Sequence, residues 1–521
     1  MGLEAAAGTE RSPAGTPRNA YLDLIRVLAI AAVVVGHWIA TGISYKHGQL
    51  HGVDVLGVSP WTSWLTLIFQ VVPLFFLVGG YSNALSWTRY QSSGGSAFDW
   101  IRRRARRLLV PTTGYIATIA IAVVACTAAG ANRGDLEEAG WALSLHLWFL
   151  APYLVLLLLT PALLAAHRRH GVAVPAAMAA AALIIDVGVI EEHWHFVGWA
   201  NYVLVWGTFH QLGFAWHEGF LAGRRRRPLV LAAVASCALV ALIWWGPYPV
   251  SMVGVPGARI QNASPPSAAL LAFGLAQVAV ALLAAPSVSA WLAQPARHRL
   301  RDLIYRANTM TMPAYLWHMV PVVLVTVVAY PHHWLAQPSV GSRTWWVQRI
   351  TWVTALTVVL IAVLVIVVVA ARVINAARVI NAHRPAQPEL SPRRSTGRTV
   401  MLVFGIAGCV ATLGRLAVWG FAPGGSLDTI TIGCFAAGLL LADCGGRFAG
   451  SPSAPSKETK EPSMPDHDET NAANARDLEA QAKAHVDEMP AETALGNADP
   501  EGGGKGTPED FVAEHEGRGG K

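Results

Sequence analysis

Three ionisable residues, Asp23, Arg26 and His37, stand in an otherwise apolar run near the start of the chain. Ionisable groups are expensive in hydrocarbon, so each is a functional candidate. In a helix, at ~100° and ~1.5 Å per residue, Arg26 and His37 fall on one face, about 16 Å apart along the axis. Asp23, one turn before Arg26, is within reach of a side-chain pair. An imidazole in such a place takes a proton from an alcohol near neutral pH. The same residues also fit a plainer role: a snorkelling arginine and a histidine that packs two helices together.

Two further stretches carry chemistry or shape. Pro73-Leu74-Phe75-Phe76-Leu77-Val78-Gly79-Gly80-Tyr81-Ser82 sets paired glycines in an apolar run, where they let helices approach closely. Arg102-Arg103-Arg104-Ala105-Arg106-Arg107 precedes Leu108-Leu109-Val110-Pro111. It fits a positive-inside cluster, or guanidiniums that grip phosphates in bidentate fashion. His210-Gln211 and His318 fall midway along later apolar runs. Each either orients a substrate or catalytic group or bridges helices. Glu191, Glu192, His193 and His195 lack a zinc-binding spacing, and read as a solvated loop with no metal expected. The five cysteines form no CxxC pair, so neither a disulfide framework nor a zinc signature is expected.

The elements that must position these residues are membrane helices. The chain has 521 residues, 53% hydrophobic and 14% charged, against about 25% charged in soluble domains. Its mean hydropathy is +0.40. Each crossing of a ~30 Å hydrocarbon core takes about 20 apolar residues. Helix is the default because lipid offers no partner to backbone groups. Runs are expected at roughly 21–43, 63–87, 108–130, 143–165, 172–190, 199–221, 228–246, 267–292, 309–330, 346–371, 399–420 and 426–443. With the N-terminus inside, the inner loops between these runs hold 22 basic residues and the outer loops four, as the positive-inside rule requires. The last 71 residues carry 16 acidic and seven basic groups and almost no aromatics, which reads as a disordered acidic tail. The overall +7 charge therefore reflects loops facing anionic lipid, not a nucleic-acid surface. A tandem ARVINA repeat at 371–382 reads as a duplication within a loop.

Taken in order, these motifs resemble those of the membrane acyltransferase family 3. Its first helix carries a basic residue, ten residues and a histidine, here Arg26 to His37. Its Phe-Phe-x-x-Ser-Gly-aromatic run corresponds to Phe75-Phe76-Leu77-Val78-Gly79-Gly80-Tyr81, with Gly79 in place of Ser, so any role of that hydroxyl is absent or moved. Its Arg-x-x-Arg pair is matched by Arg103 and Arg106, or by Arg104 and Arg107. His146-Leu147-Trp148-Phe149-Leu150 looks like its Trp-Phe-Leu segment, and Tyr315-Leu316-Trp317-His318 like its Tyr-Leu-x-His segment. The resemblance covers roughly residues 18–372.

The expected fold is an all-α polytopic bundle of about 12 helices, ten in the acyltransferase-like core and two added. The expected division is a cytoplasmic leader at 1–19, the core at 20–372, a basic cytoplasmic loop at 373–398, two further helices at 399–444 and a cytoplasmic tail at 445–521. The resemblance implies transfer of an acyl group, commonly acetyl, from cytoplasmic acyl-CoA to a hydroxyl of a carbohydrate or other cell-envelope acceptor. On that basis His37 is expected to act as general base or acyl relay, and Arg26 with the Arg103/Arg106 region to bind the anionic donor. Asp23, Phe75, Phe76, Gly79, Gly80, Tyr81, Trp148, His210 and His318 are expected to line the substrate's passage. Two rival classes share the hydropathy pattern: a transporter or exporter, and a non-catalytic scaffold or sensor.

Overall fold

The computed structural model describes residues 19–46, 49–221, 225–255, 258–381 and 396–447. The helices are α1 (Ala20–Ala40), α2 (Val72–Ser92), α3 (Ala97–Ala128), α4 (Arg133–Ala142), α5 (Leu150–His170), α6 (Ala173–Glu191), α7 (Asn201–His217) and α8 (Arg226–Trp244). They continue as α9 (Ala268–Ala293), α10 (His298–Thr309), α11 (Thr311–Trp317), α12 (Val320–Ala329), α13 (Arg343–Asn381), α14 (Thr396–Trp419) and α15 (Thr429–Arg447). Among the described residues nine helical stretches are long and apolar enough to cross a membrane, ten if the bent pair α11–α12 is one span. This is a multi-pass helical membrane protein. The sixth and twelfth expected spans coincide with helices α7 and α15, whose apolar lengths are shorter than those of the others.

Three expectations change. The chain is not wholly α: β1 (Thr41–Lys46) and β2 (Gln49–Asp54) pair as an antiparallel hairpin beyond the end of α1. The Arg102–Arg107 cluster is not in a loop but in the first turns of α3, which Ser96 caps by accepting from the Asp99 backbone N–H. The ARVINA repeat is helical through Asn381, so the expected loop at 373–398 begins as helix. The leader through residue 18, the segment 382–395 and the acidic tail from 448 lie outside the described residues.

Helix α2 is central: it packs against α1, α3, α5, α7 and α9. Two glycines permit its closest approach. A Cβ on Gly80 would stand 2.0 Å from the His210 carbonyl oxygen, and one on Gly213 would stand 2.2 Å from that of Leu77. The α2 and α7 backbones therefore touch, and α7 is buried almost all round from Val205 to Trp216. That burial explains how a helix too short to span alone is kept in the bundle.

The contacts sort the helix ends. Arg168 at the end of α5 donates to Thr88 near the end of α2 (2.7 Å) and pairs with Glu218 just past α7 (3.1 Å). Arg225 reaches Ser287 near the end of α9. At the opposite end Asp135 on α4 accepts from the Leu50 backbone N–H (2.9 Å), and Thr66 accepts from that of Met252 (2.9 Å).

The pair α14–α15 is docked, not loose. Leu402, Ile406, Cys409, Leu413 and Leu416 form a stripe at alternating four- and three-residue spacing and are buried in the main core. Phe421, in the turn after α14, is fully buried, and its backbone N–H donates to the Gly140 carbonyl of α4 (3.2 Å).

The backbone contact sets a test. Gly80→Val should lower stability by about 1–3 kcal/mol or more, because the obstructing atom is backbone and cannot rotate away. Gly114→Ala, on α3 with nothing within 4 Å, should instead be neutral or stabilising by about 0.5–1 kcal/mol. Thermal unfolding midpoints of the two variants in one detergent separate the cases.

Candidate active site

His37 lies in the last turn of α1 and faces His318, which sits at the 40° break between α11 and α12. The break has a local cause. Pro321 at the start of α12 has no N–H for the carbonyl one turn back. The carbonyl so affected is that of Trp317; the His318 carbonyl beside it accepts from the Trp38 indole N–H (2.8 Å), and the Trp38 carbonyl from that of Trp352 (3.1 Å).

His37 Nδ1 is 2.7 Å from His318 Nε2, and the rings stack with centroids 5.0 Å apart. His318 Nδ1 is 2.8 Å from the Tyr315 carbonyl oxygen. The tautomers of the neutral pair follow from these partners. A carbonyl only accepts, so His318 Nδ1 carries hydrogen and its Nε2 is the acceptor. His37 Nδ1 must then donate, which leaves the lone pair on His37 Nε2. The peptide group of Tyr315 thereby orients both rings of the pair.

Arg26 belongs to a second cluster, toward the start of α1. Its Nη1 donates to Asp23 Oδ1 and its Nη2 to Ser82 Oγ, both at 2.7 Å. Arg26 is 2% exposed and Asp23 1%. Next to it, Arg104 Nη2 donates to Asn83 Oδ1 (2.8 Å), and the Asn83 amide lies 3.2 Å from His210 Nε2. Arg104 has Tyr153, Arg107 and Arg26 as electrostatic neighbours. Three expected site residues, Asp23, Arg26 and Arg104, thus lie in this cluster, with Arg107 beside it. Arg103 instead stacks over Tyr90 at 4.2 Å, and Arg106 is exposed. His210 bridges α7 to α2; its hydrogen bond is to Asn83, not to His37.

Aromatic rings connect the two clusters. Tyr315 meets Phe149 at 5.8 Å, Phe149 meets Tyr153 at 5.8 Å and Phe76 at 5.2 Å, and Phe76 stacks on Trp206 at 5.1 Å. Phe75 and Trp148 flank this group. Tyr81 lies apart, edge-on to Trp216 and His217. The glycine pair is mid-helix, and the space beside each glycine is filled. A Cβ on Gly79 would meet the Tyr153 ring at 2.8 Å, and Gly80 touches the α7 backbone. These glycines serve helix packing.

Sequence reading gave Ser82, Asn83, Tyr153 and His146 no role. Ser82 is one turn beyond Gly79 and supplies a hydroxyl to Arg26, while Tyr153 occupies the volume that a side chain at 79 would need. The available signal was polar residues within an apolar run. Tyr153, an ordinary core aromatic by type, offered none. Among the described residues no group of three or more His, Cys, Asp or Glu is arranged to hold a metal ion. A cavity of about 220 Å3 lined by His167, Arg168, Gly171, Val172, Glu218 and Phe220 lies at the ends of α5 and α7, away from His37.

Fold and site together define a polytopic membrane bundle organised around a buried histidine pair. The family model for the acyltransferase domain of family 3 matches residues 19–372, and the chain belongs to that family. Membership implies acyltransferase activity. Helices α14 and α15 lie beyond the matched stretch. No curated protein and no solved structure matches the chain.

The buried ion pair yields a stability test. Removing one partner leaves an uncompensated charge, so Arg26→Met should cost about 3–5 kcal/mol. Asp23→Leu/Arg26→Met should recover much of that loss. Thermal unfolding of the three proteins is the measurement; equal midpoints for the single and double variants would argue against the pair.

Proposed function

We propose that the protein transfers an acyl group, acetyl in the simplest case, from acyl-CoA to a hydroxyl of a carbohydrate or other envelope acceptor. The observation that carries this reading is the hydrogen-bond chain from Tyr315 through His318 to His37, which leaves a lone pair on His37 Nε2. The acceptor hydroxyl gives its proton to that nitrogen as its oxygen attacks the thioester carbonyl carbon. The carbon–sulfur bond then breaks, and the proton passes from His37 to the departing thiolate. His318 holds the imidazole of His37 in the required tautomer.

The arginines divide by accessibility. Arg26 and Arg104 are buried and already engaged by Asp23, Ser82 and Asn83. They support the site from within. Arg106, exposed on α3, and Arg103 of the same helix, stacked over Tyr90, are the residues that meet the donor's phosphates in this reading. The arginine asymmetry of the loops argues for an N-terminus on the cytoplasmic side of the plasma membrane. In that orientation the donor approaches the α3 end from inside, and His37 sits in the outer half, nearer an envelope acceptor. The C-terminus then also lies inside.

The test is acetyl-CoA binding by calorimetry in nanodiscs, paired with acyl-CoA turnover in the presence of candidate acceptors. Arg103→Ala/Arg106→Ala should weaken binding at least several-fold with little change in melting temperature. His37→Ala should bind within about twofold of wild type but lose about 10²–10⁴ in turnover. Well-folded wild type that binds neither acetyl-CoA nor longer acyl-CoAs would move a transporter or scaffold to the front.

A further inference from the structure

We infer that His146 is a third imidazole of the same site and the hydrogen-bond donor to the oxyanion formed on the thioester carbonyl, an inference that rests on the acyl-transfer reading. His146 lies on the short 3₁₀ turn Leu145–Phe149, between α4 and α5. It is 2% exposed, and neither ring nitrogen has a hydrogen-bond partner among the described residues. The Leu316 backbone lies beside the ring without completing such a bond. A neutral imidazole always carries one N–H and one lone pair, and leaving both unpaired in a packed interior is unfavourable. A ligand that supplies the missing partner accounts for the arrangement.

The surroundings say which ligand. The His146 ring meets that of His318 edge-on at 4.9 Å, and His37 is among its electrostatic neighbours. Its other faces are closed by Tyr115 at 5.7 Å and Tyr315 at 5.3 Å. Both tyrosine hydroxyls are spent on backbone: Tyr115 donates to the Leu143 carbonyl (2.5 Å) and Tyr315 to that of His146 itself (2.7 Å). Neither is left to donate to a substrate, whereas the His146 N–H is. Tyr315 fixes both partners at once, the His146 backbone through its hydroxyl and the His318 ring through its carbonyl.

In the reaction, attack by the hydroxyl converts the thioester carbonyl to a tetrahedral oxyanion while the proton goes to His37. The His146 N–H donates to that oxygen and keeps its proton. Collapse re-forms the carbonyl, breaks the carbon–sulfur bond and returns the proton from His37 to sulfur. A donor aimed at developing charge in a dry site is worth about 10²–10³ in turnover.

The test compares wild type, His146→Phe and His146→Gln for kcat, KM for acetyl-CoA and melting temperature. His146→Phe removes an unpaired polar group from a packed interior, so its melting temperature should hold or rise. Its kcat should fall about 10²–10³ with KM within about twofold. His146→Gln, which retains an N–H, should recover part of kcat. Unchanged kcat in the folded Phe variant overturns the assignment. So does a joint fall of melting temperature and rate in both variants, which would make His146 a packing residue. Wild type inactive with every acyl-CoA sinks the transferase reading and this role with it, whereas an active wild type matched by His146→Phe sinks this role alone.

Discussion

A backbone carbonyl in an apolar slab must find a donor within the protein, because lipid supplies none. This constraint organises the half of the molecule that holds the histidines. His37 lies where α1 ends, His146 on a 3₁₀ turn and His318 at a helix break, all places where the regular ladder fails. At each, a side chain donates to the backbone carbonyl, at His37 in addition to the Thr41 backbone N–H. Thr41 donates to the His37 carbonyl (2.7 Å), Tyr315 to that of His146 and Trp38 to that of His318. Tyr315 does both, holding the His146 backbone through its hydroxyl and the His318 ring through its carbonyl.

The other half solves a different problem, that of charge. Two guanidiniums and a carboxylate are almost wholly withdrawn from solvent, which is tolerable only when the charges are paired and their donors used. Asp23, Ser82 and Asn83 provide the partners from α1 and α2. Asn83 ties this network to His210 across the close α2–α7 approach that the glycines allow. An aromatic column from Phe76 through Phe149 to Tyr315 separates this network from the histidines while touching both.

Much of this was legible in residue types and spacing. The helix that puts Arg26 and His37 on one face and the extent of the family's core were readable, whereas the glycine pair, expected to line the substrate's passage, packs against Tyr153 and α7. The first two follow from helical periodicity and from the rarity of ionisable groups in apolar runs. The hydroxyl missing at Gly79 was also noticed, but its replacement was not. Which side chain turns toward Arg26 depends on how α2 is rotated against α1, and no local pattern encodes that. His146 was visible only as part of a motif, since its lack of partners is a property of packing. The arginine run looked like a loop because its charge hid the helical start that Ser96 caps.

The α14–α15 pair changes what counts as the unit of this protein. Its leucine-rich stripe and Phe421 are continuous with the main core, and α14 packs on the turn that carries His146. Phe421 also faces Tyr115, the ring that lies against His146 (centroids 6.3 Å). The family's matched stretch ends at residue 372, yet the wall behind that turn comes from residues after 396. Ancestry and architecture thus draw the boundary in different places. A chain trimmed to the inherited portion would turn an interior wall of the site into a lipid-facing surface.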